Sequence, residues 1–325
     1  MSAAASPGPN ATLLLADVGG TNCRLAIADA ASGVFLHRLT VSTDEAPSPQ
    51  DAIARFVSGA GAAMPKRAAL ALAGPAADDT VKLTNSDWVF DRAAIRAALG
   101  FDTLLFANDL EAQARAVLDL DAGAFHRIGA PAAPPLPEVV SVVGPGTGLG
   151  VAVLEPSDRV RVRATEGGHV GFAPYDDLDR ALLDWLRGRF GAASNEHVVS
   201  GPGFARLYTF MAERAGAEAG DIDGPEITKR ALSGDALARQ TVERYAALLG
   251  GVCGDIVLAQ GGRALVLVGG IANALAPILT EGGFRARFDQ RGPHPGFLDR
   301  TPCLVATADD LGLKGARLLL LDAAR

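Results

Sequence analysis

The chain has 325 residues, 49% of them hydrophobic and 21% charged, and carries a formal net charge of −7. That length exceeds one ordinary core and predicts two domains. The negative balance and the absence of a basic block give nucleic acid no footing. Three cysteines, Cys23, Cys253 and Cys303, form no C-x-x-C pair. They exclude a disulfide framework and a zinc site and read as small buried hydrophobes in a reducing compartment. Cys23, beside a glycine turn, is the one candidate for alkylation.

The N-terminal "MSAAASPGPN" lacks a basic region and a sustained apolar run, so it is expected to be a frayed tail rather than a signal peptide. "ALVLVGGIANALAPIL" is too short and too interrupted to cross a bilayer. These features predict a cytoplasmic protein with no membrane partner.

In chain order, "ATLLLADVGGTNCRLAIAD" reads as strand, glycine turn, strand. "GVFLHRLTVST" is a third strand. "SPQDAIARFVSGAGAAM" is a helix capped by Ser48, with Ile53, Phe56 and Val57 at helical spacing. "RAALALAGPAADD" is a buried strand ending in a Gly-Pro turn. "DRAAIRAALG" is a short helix stopped by Gly100, and "TLLFANDLEAQARAVL" is a strand running into a helix. A β-rich start followed by alternating units predicts an α/β domain with a mixed sheet. The proline-rich "GAPAAPPLPEVV" is expected to be a loop near a domain transition.

"VVSVVGPGTGLGVAVLE" then repeats the opening pattern, with Gly144, Gly146, Thr147 and Gly148 in its turn. Longer helices follow in "DLDRALLDWLRGRFG", "GFARLYTFMAERAG" and "DALARQTVERYAALLGGVCGDIVLAQGG". The strand "ALVLVGG" and a last helix, "GLKGARLLLLDAAR", complete the chain. Either glycine turn alone is an ordinary hairpin with glycines at positive φ. As a pair they signal an internal duplication. Two nests of backbone N–H groups, one per domain, can hold a polyphosphate between them.

Three further constellations carry chemistry. Asn108 and Asp109 in "FANDLEA" follow a buried strand and open a helix. They suit a helix cap or a carboxylate at a strand's carboxyl end, where α/β sheets collect ligands. Glu166 and His169 flank a Gly-Gly turn in "TEGGHVGFAP" and suit a polyhydroxylated ligand. A core histidine is the plainer reading for His169, and no second histidine at ligand spacing supports a metal there. Glu196 precedes the "SGPG" turn, and His197 is given no role.

The motifs "LLLADVGGTNCRLAIAD", "LTNSDWVF", "FANDLEA", "VVGPGTGLGVAV", "TEGGHVGFAP", "SGPGFARLY", "LVLVGGIAN" and "LGLKGA" together resemble the bacterial glucokinases. These belong to the hexokinase, heat-shock-protein and actin superfamily. The resemblance spans nearly the whole chain after the tail. It implies an α/β, two-domain actin-like ATPase (ribonuclease H-like) fold with a nucleotide cleft between domains. Residues 1–119 with 309–325 would form the smaller α/β domain, and 120–308 the larger α+β domain. The segment Ala16, Asp17, Val18, Gly19, Gly20, Thr21 and Asn22 would be the first phosphate turn, with Asp17 toward the Mg²⁺ of Mg-ATP. Gly146, Thr147 and Gly148 would form the second, and Gly269 and Gly270 the adenosine side. Gly312 and Gly315 would belong to the closing helix of the hinge.

Asn108, Asp109, Glu166, His169 and Glu196 match the family's sugar-binding set, with Asp109 as general base. Gly171 and Arg263 depart from the family pattern outside the residues assigned to chemistry. The zinc motif of the related repressor and sugar-kinase group is absent. The implied reaction is transfer of a phosphoryl group from ATP to the 6-hydroxyl of glucose, by a homodimer that closes on its sugar. A kinase for another hexose, a non-catalytic sugar sensor and an actin-like assembling ATPase are the alternatives. Retention of Asp109 and both phosphate turns argues against a sensor, and the Glu166, His169 and Glu196 set has no purpose in an assembling ATPase.

Overall fold

The computed structural model describes residues 8, 10–74, 76, 78–83, 86–129, 136, 139–281, 283–290 and 296–324. Most of the N-terminal tail, Pro75 of the Gly-Pro turn, Thr84 and Asn85 of "LTNSDWVF" and most of the proline-rich stretch lie outside the described residues. The chain divides into two compact units, Met1–Asp119 with Asp309–Arg325, and Leu120–Ala308.

The first unit opens with β1 (Thr12–Val18), β2 (Asn22–Asp29), β3 (Phe35–Ser42), α1 (Pro49–Gly59) and β4 (Arg67–Leu72). The short pair β5 (Thr80–Lys82) and β6 (Val89–Asp91) follows, then α2 (Arg92–Leu99), β7 (Thr103–Asn108) and α3 (Asp109–Ala116). The second unit holds β8 (Phe125–Ile128), β9 (Val140–Pro145), β10 (Leu149–Glu155), β11 (Arg161–Thr165), α4 (Asp177–Phe190) and α5 (Asn195–Val199). It continues with α6 (Gly201–Arg214), α7 (Gly224–Leu232), α8 (Ala236–Gln260), β12 (Ala264–Leu267), α9 (Gly270–Glu281), α10 (Phe284–Asp289) and β13 (Cys303–Ala306). The last helix, α11 (Leu311–Asp322), belongs to the first unit.

The two main sheets share one plan. The first runs β3-β2-β1-β4-β7 and the second β11-β10-β9-β12-β13-β8. In each, an antiparallel hairpin and a third antiparallel strand lead into two parallel strands. The duplication is faint in the residues and plain in the strand order.

Burial explains the run of leucines in β1, because the first sheet is covered on both faces. Leu14, Leu25, Ile53, Phe56, Leu70 and Phe90 pack on one side. Leu13, Leu15 and Ala69 pack with Leu313, Ala316 and Leu320 of α11 on the other. A strand alternates its side chains between faces, so apolar residues at every position mean two covered faces.

Local signals hold where expected: Ser48 caps α1 by accepting from Asp51 N–H, and Gly100 ends α2 at φ 68°. In α8, Gly250 sits inside the helix because any Cβ there would overlap the Phe284 carbonyl of α10. Beyond "ALVLVGG" the chain forms α9, with Pro277 inside it, and then α10, neither anticipated from sequence. The strands β8, β11 and β13 are likewise additions. Among the described residues, no helix is long and apolar enough to cross a membrane.

Candidate active site

In the first unit the site residues gather at the carboxyl edge of the parallel strands. The register pairs Val18 with Leu72 and Leu72 with Asn108, so the first glycine turn and Asn108–Asp109 leave the sheet at one level. They stand two strands apart, roughly 10 Å. Asp17 lies directly opposite Arg24 in the hairpin, and Arg24 Nη1 donates to Asp17 Oδ2 at 3.0 Å. Behind it stands the first turn of α11, where a Cβ on Gly312 would come within 2.6 Å of Asp17 Oδ2. Burial raises the Asp17 pKa above its ordinary value, Arg24 draws it back, and the Asp310 charge adds to the rise.

The first turn is pinned from behind by Thr43. Its N–H donates to Thr21 O at 2.9 Å, and its hydroxyl reaches Gly20 O at 3.4 Å and Thr21 O at 3.3 Å. Gly19 is not left-handed, and a Cβ on it would meet nothing nearer than Asn22 O at 3.7 Å. Neither backbone strain nor packing calls for that glycine, which leaves its open face free for a ligand to approach. The ordinary-hairpin reading, which asks positive φ of the glycine, fails at this position.

Asn108 is the N-cap of α3. Its Oδ1 accepts from Leu110 N–H at 3.0 Å and Glu111 N–H at 3.2 Å, and its Nδ2 donates to Gly74 O at 3.2 Å. The Asn108 side chain also hydrogen-bonds the Asp109 carboxylate, which lowers the Asp109 pKa. Asp109, the first residue of α3, accepts from Leu110 N–H at 2.8 Å. Burial pushes its pKa up to about 6, against the Leu110 bond, and the Asp17 charge adds to the rise. A carboxylate poised there accepts a proton near neutral pH.

In the second unit three segments converge on the other glycine turn. Gly146 N–H donates to Gly148 O at 2.8 Å, and Gly146 O accepts from Gly201 N–H at 2.7 Å. A Cβ on Gly146 would meet nothing within 4 Å, and Thr147 is exposed. Glu196 Oε2 accepts from Leu149 N–H at 2.9 Å. The Glu166–His169 loop packs on β10 through Gly167 and Gly168, which are hemmed by Val151 and the Leu149 carbonyl. It is joined to the start of α5 by the Gly171–Ser194 bridge and by Asn195 N–H on Val170 O at 2.9 Å. Glu166 Oε2 and His169 Nε2 stand 3.6 Å apart, both side chains largely exposed. Gly269, at φ 92°, brings the end of β12 beside Pro145 O, and Gly270 faces open space.

The structure thus groups Asp17, the first turn, Asn108 and Asp109 within one unit. It groups the second turn, Glu166, His169, Glu196, Gly269 and Gly270 within the other. Sequence reasoning missed Arg24, although a turn of this length sets it across from Asp17, and it missed Thr43, which no local pattern marks. Cys23 is no alkylation target: it is 2% exposed and burial pushes its thiol to about 12. His197 serves as a cap, its Nδ1 accepting from Ser194 N–H at 3.2 Å.

Known proteins share this fold. The glucokinase from an Antarctic psychrotroph superposes with a TM-score of 0.81 at 35% identity, covering 96% of this chain and 99% of that one. The structure of a ROK family glucokinase from Streptomyces griseus in complex with glucose and AMPPNP superposes at 0.68 with 22% identity, covering 95% and 98%. The fold is that of the sugar kinases of the actin-like ATPase class. The glucokinase of Zymomonas mobilis subsp. mobilis is 38% identical over 306 residues, 92% of this chain and 94% of that one. A Glucokinase family model matches residues 14–323. The chain belongs to the glucokinase family.

Proposed function

We infer that the protein transfers the γ-phosphoryl group of ATP to the 6-hydroxyl of glucose, with Asp109 as general base. The observation that carries the role of Asp109 is its place and state: the carboxyl end of β7, level with the first glycine turn, with its pKa raised to about 6. As the bond from the sugar oxygen to phosphorus forms, the bond to the β-phosphate oxygen breaks and ADP departs. The hydroxyl proton passes to Asp109. The transition state is loose, so positioning and charge neutralisation carry most of the catalysis.

In this reading the turns Gly19 to Asn22 and Gly146 to Gly148 hold phosphates through backbone N–H groups other than those of Gly19 and Gly146, which donate to Asn22 O and Gly148 O. Ala16 and Val18 frame Asp17, and Thr147 offers its hydroxyl to the β- or γ-phosphate. Gly269 and Gly270 serve the adenosine side. Glu166, His169, Glu196 and Asn108 take the sugar hydroxyls. Magnesium enters with the nucleotide as substrate. Among the described residues no three of His, Cys, Asp and Glu gather around a metal position. A lone carboxylate such as Asp17 suits an ion that keeps its phosphate and water ligands.

A homodimer in the cytoplasm completes the proposal, and sedimentation of the purified protein checks the dimer. The test of function is glucose-dependent ADP formation from Mg-ATP, run against a panel of other hexoses. Turnover of mannose or fructose in preference to glucose would replace the substrate, and no turnover with any sugar would sink the kinase reading.

A further inference from the structure

Leu149 is gripped from both sides by segments assigned to the sugar. Its N–H donates to Glu196 Oε2 at 2.9 Å. Its carbonyl lies so close to Gly168 that any Cβ there would overlap it. Leu149 is also the first residue of β10 and so closes the second glycine turn. At the other end of that turn, Gly146 O accepts from Gly201 N–H at 2.7 Å. One short segment, 196–201, therefore clasps the turn at both ends and leaves Thr147 and Gly148 between its two holds. Glu196 Oε2 stands only 2.5 Å from where a Cβ on Gly148 would be.

We propose that Glu196 is a positioning residue for the phosphate turn as well as a sugar ligand, so that sugar and nucleotide binding are coupled through the Glu196–Leu149 hydrogen bond. The inference rests on the proposed sugar role of Glu196. An ionised acceptor makes a strong bond to a peptide N–H. With Oε2 committed to Leu149, the carboxylate presents Oε1 to a sugar hydroxyl. A bound hydroxyl fixes the carboxylate and, through it, the turn that holds phosphate. A bound phosphate fixes the turn and, through it, the carboxylate. Such a coupling acts equally in both directions on the binding equilibria.

The test compares steady-state kinetics of wild type, Glu196→Ala, Glu196→Gln and Gly148→Ala, with thermal melts to confirm folding. Glutamine keeps a side-chain oxygen for Leu149 N–H, whereas alanine removes it. Glu196→Ala is expected to raise KM for ATP about tenfold as well as KM for glucose. Glu196→Gln should raise KM for glucose and leave KM for ATP near wild type. Gly148→Ala must push the carboxylate aside, so it should raise KM for glucose from a position on the phosphate turn; this variant carries the test if Glu196→Ala does not fold. A KM for ATP that is unchanged or lower in folded Glu196→Ala would overturn the proposal, as would equal rises in the alanine and glutamine variants. A wild type without turnover would count against the kinase reading instead. In that case, calorimetric titration of AMPPNP into wild type and Glu196→Ala reads the same difference.

Discussion

Asp109, the proposed general base, is a carboxylate whose environment works against its charge. Its folded pKa of about 6 lies above the ordinary 3.8. The native state therefore binds this proton more tightly than the unfolded chain does. Stability linked to Asp109 is fully present below pH 3.8 and is lost as pH rises through about 6. At roughly 1.4 kcal/mol per pH unit, charging it in the fold costs about 3 kcal/mol at neutral pH. Asp109→Asn keeps an oxygen for Leu110 N–H and escapes that cost. The variant should melt at a higher temperature than wild type at pH 7.5 and lose this advantage at pH 4, as calorimetry at the two values would show. In the wild type, kcat/KM should fall about tenfold per pH unit below about pH 6 as the base becomes protonated. A flat profile from pH 5 to 8 would remove Asp109 from proton transfer.

At the scale of elements, two close contacts hold the site's supports. Helix α11 meets α3 at Gly315, where any Cβ would run into the Ala112 backbone. Gly315→Ala should destabilise the protein by about 1–3 kcal/mol, read as a lower denaturation midpoint. In the second unit, Asp179 is fully buried at the start of α4. It accepts from Tyr175 N–H at 3.0 Å, from Arg287 Nη2 at 2.5 Å and from Arg244. Asp179→Ala removes the buried carboxylate that Arg244 and Arg287 share, so it should cost about 3–5 kcal/mol while leaving KM for both substrates unchanged in the folded fraction. Both glycine hairpins were legible because strand, turn and strand lie within a few residues of one another. The helix cap at Asn108 was legible for the same reason. The bond from Glu196 to Leu149 spans 47 residues, and Gly312 meets Asp17 from the far end of the chain; no local pattern encodes either. Strands such as β8 and β13 have four residues each, too few to show a period, and exist because a neighbouring strand pairs with them. Helix α9 is masked in sequence by its apolar run and by Pro277.

On the scale of the whole molecule, the repeated strand plan gives each unit a glycine turn at the end of its first hairpin strand. The proposed chemistry is divided: the base and Asp17 belong to one unit, and Glu166, His169 and Glu196 to the other. Water offers no ring hydroxyls to the second set. ATP hydrolysis without sugar is therefore expected to be a small fraction of the rate with glucose, as coupled-enzyme detection of ADP would show. Equal rates would mean that the sugar groups contribute nothing to turnover. The most direct measurement is glucose-dependent ADP formation from Mg-ATP, with wild type and Asp109→Asn side by side. Wild type should turn over, and the variant should lose about 10²- to 10⁴-fold in kcat while still binding glucose. A variant with near-wild-type kcat, or a wild type with no turnover, would contradict a glucose kinase centred on Asp109.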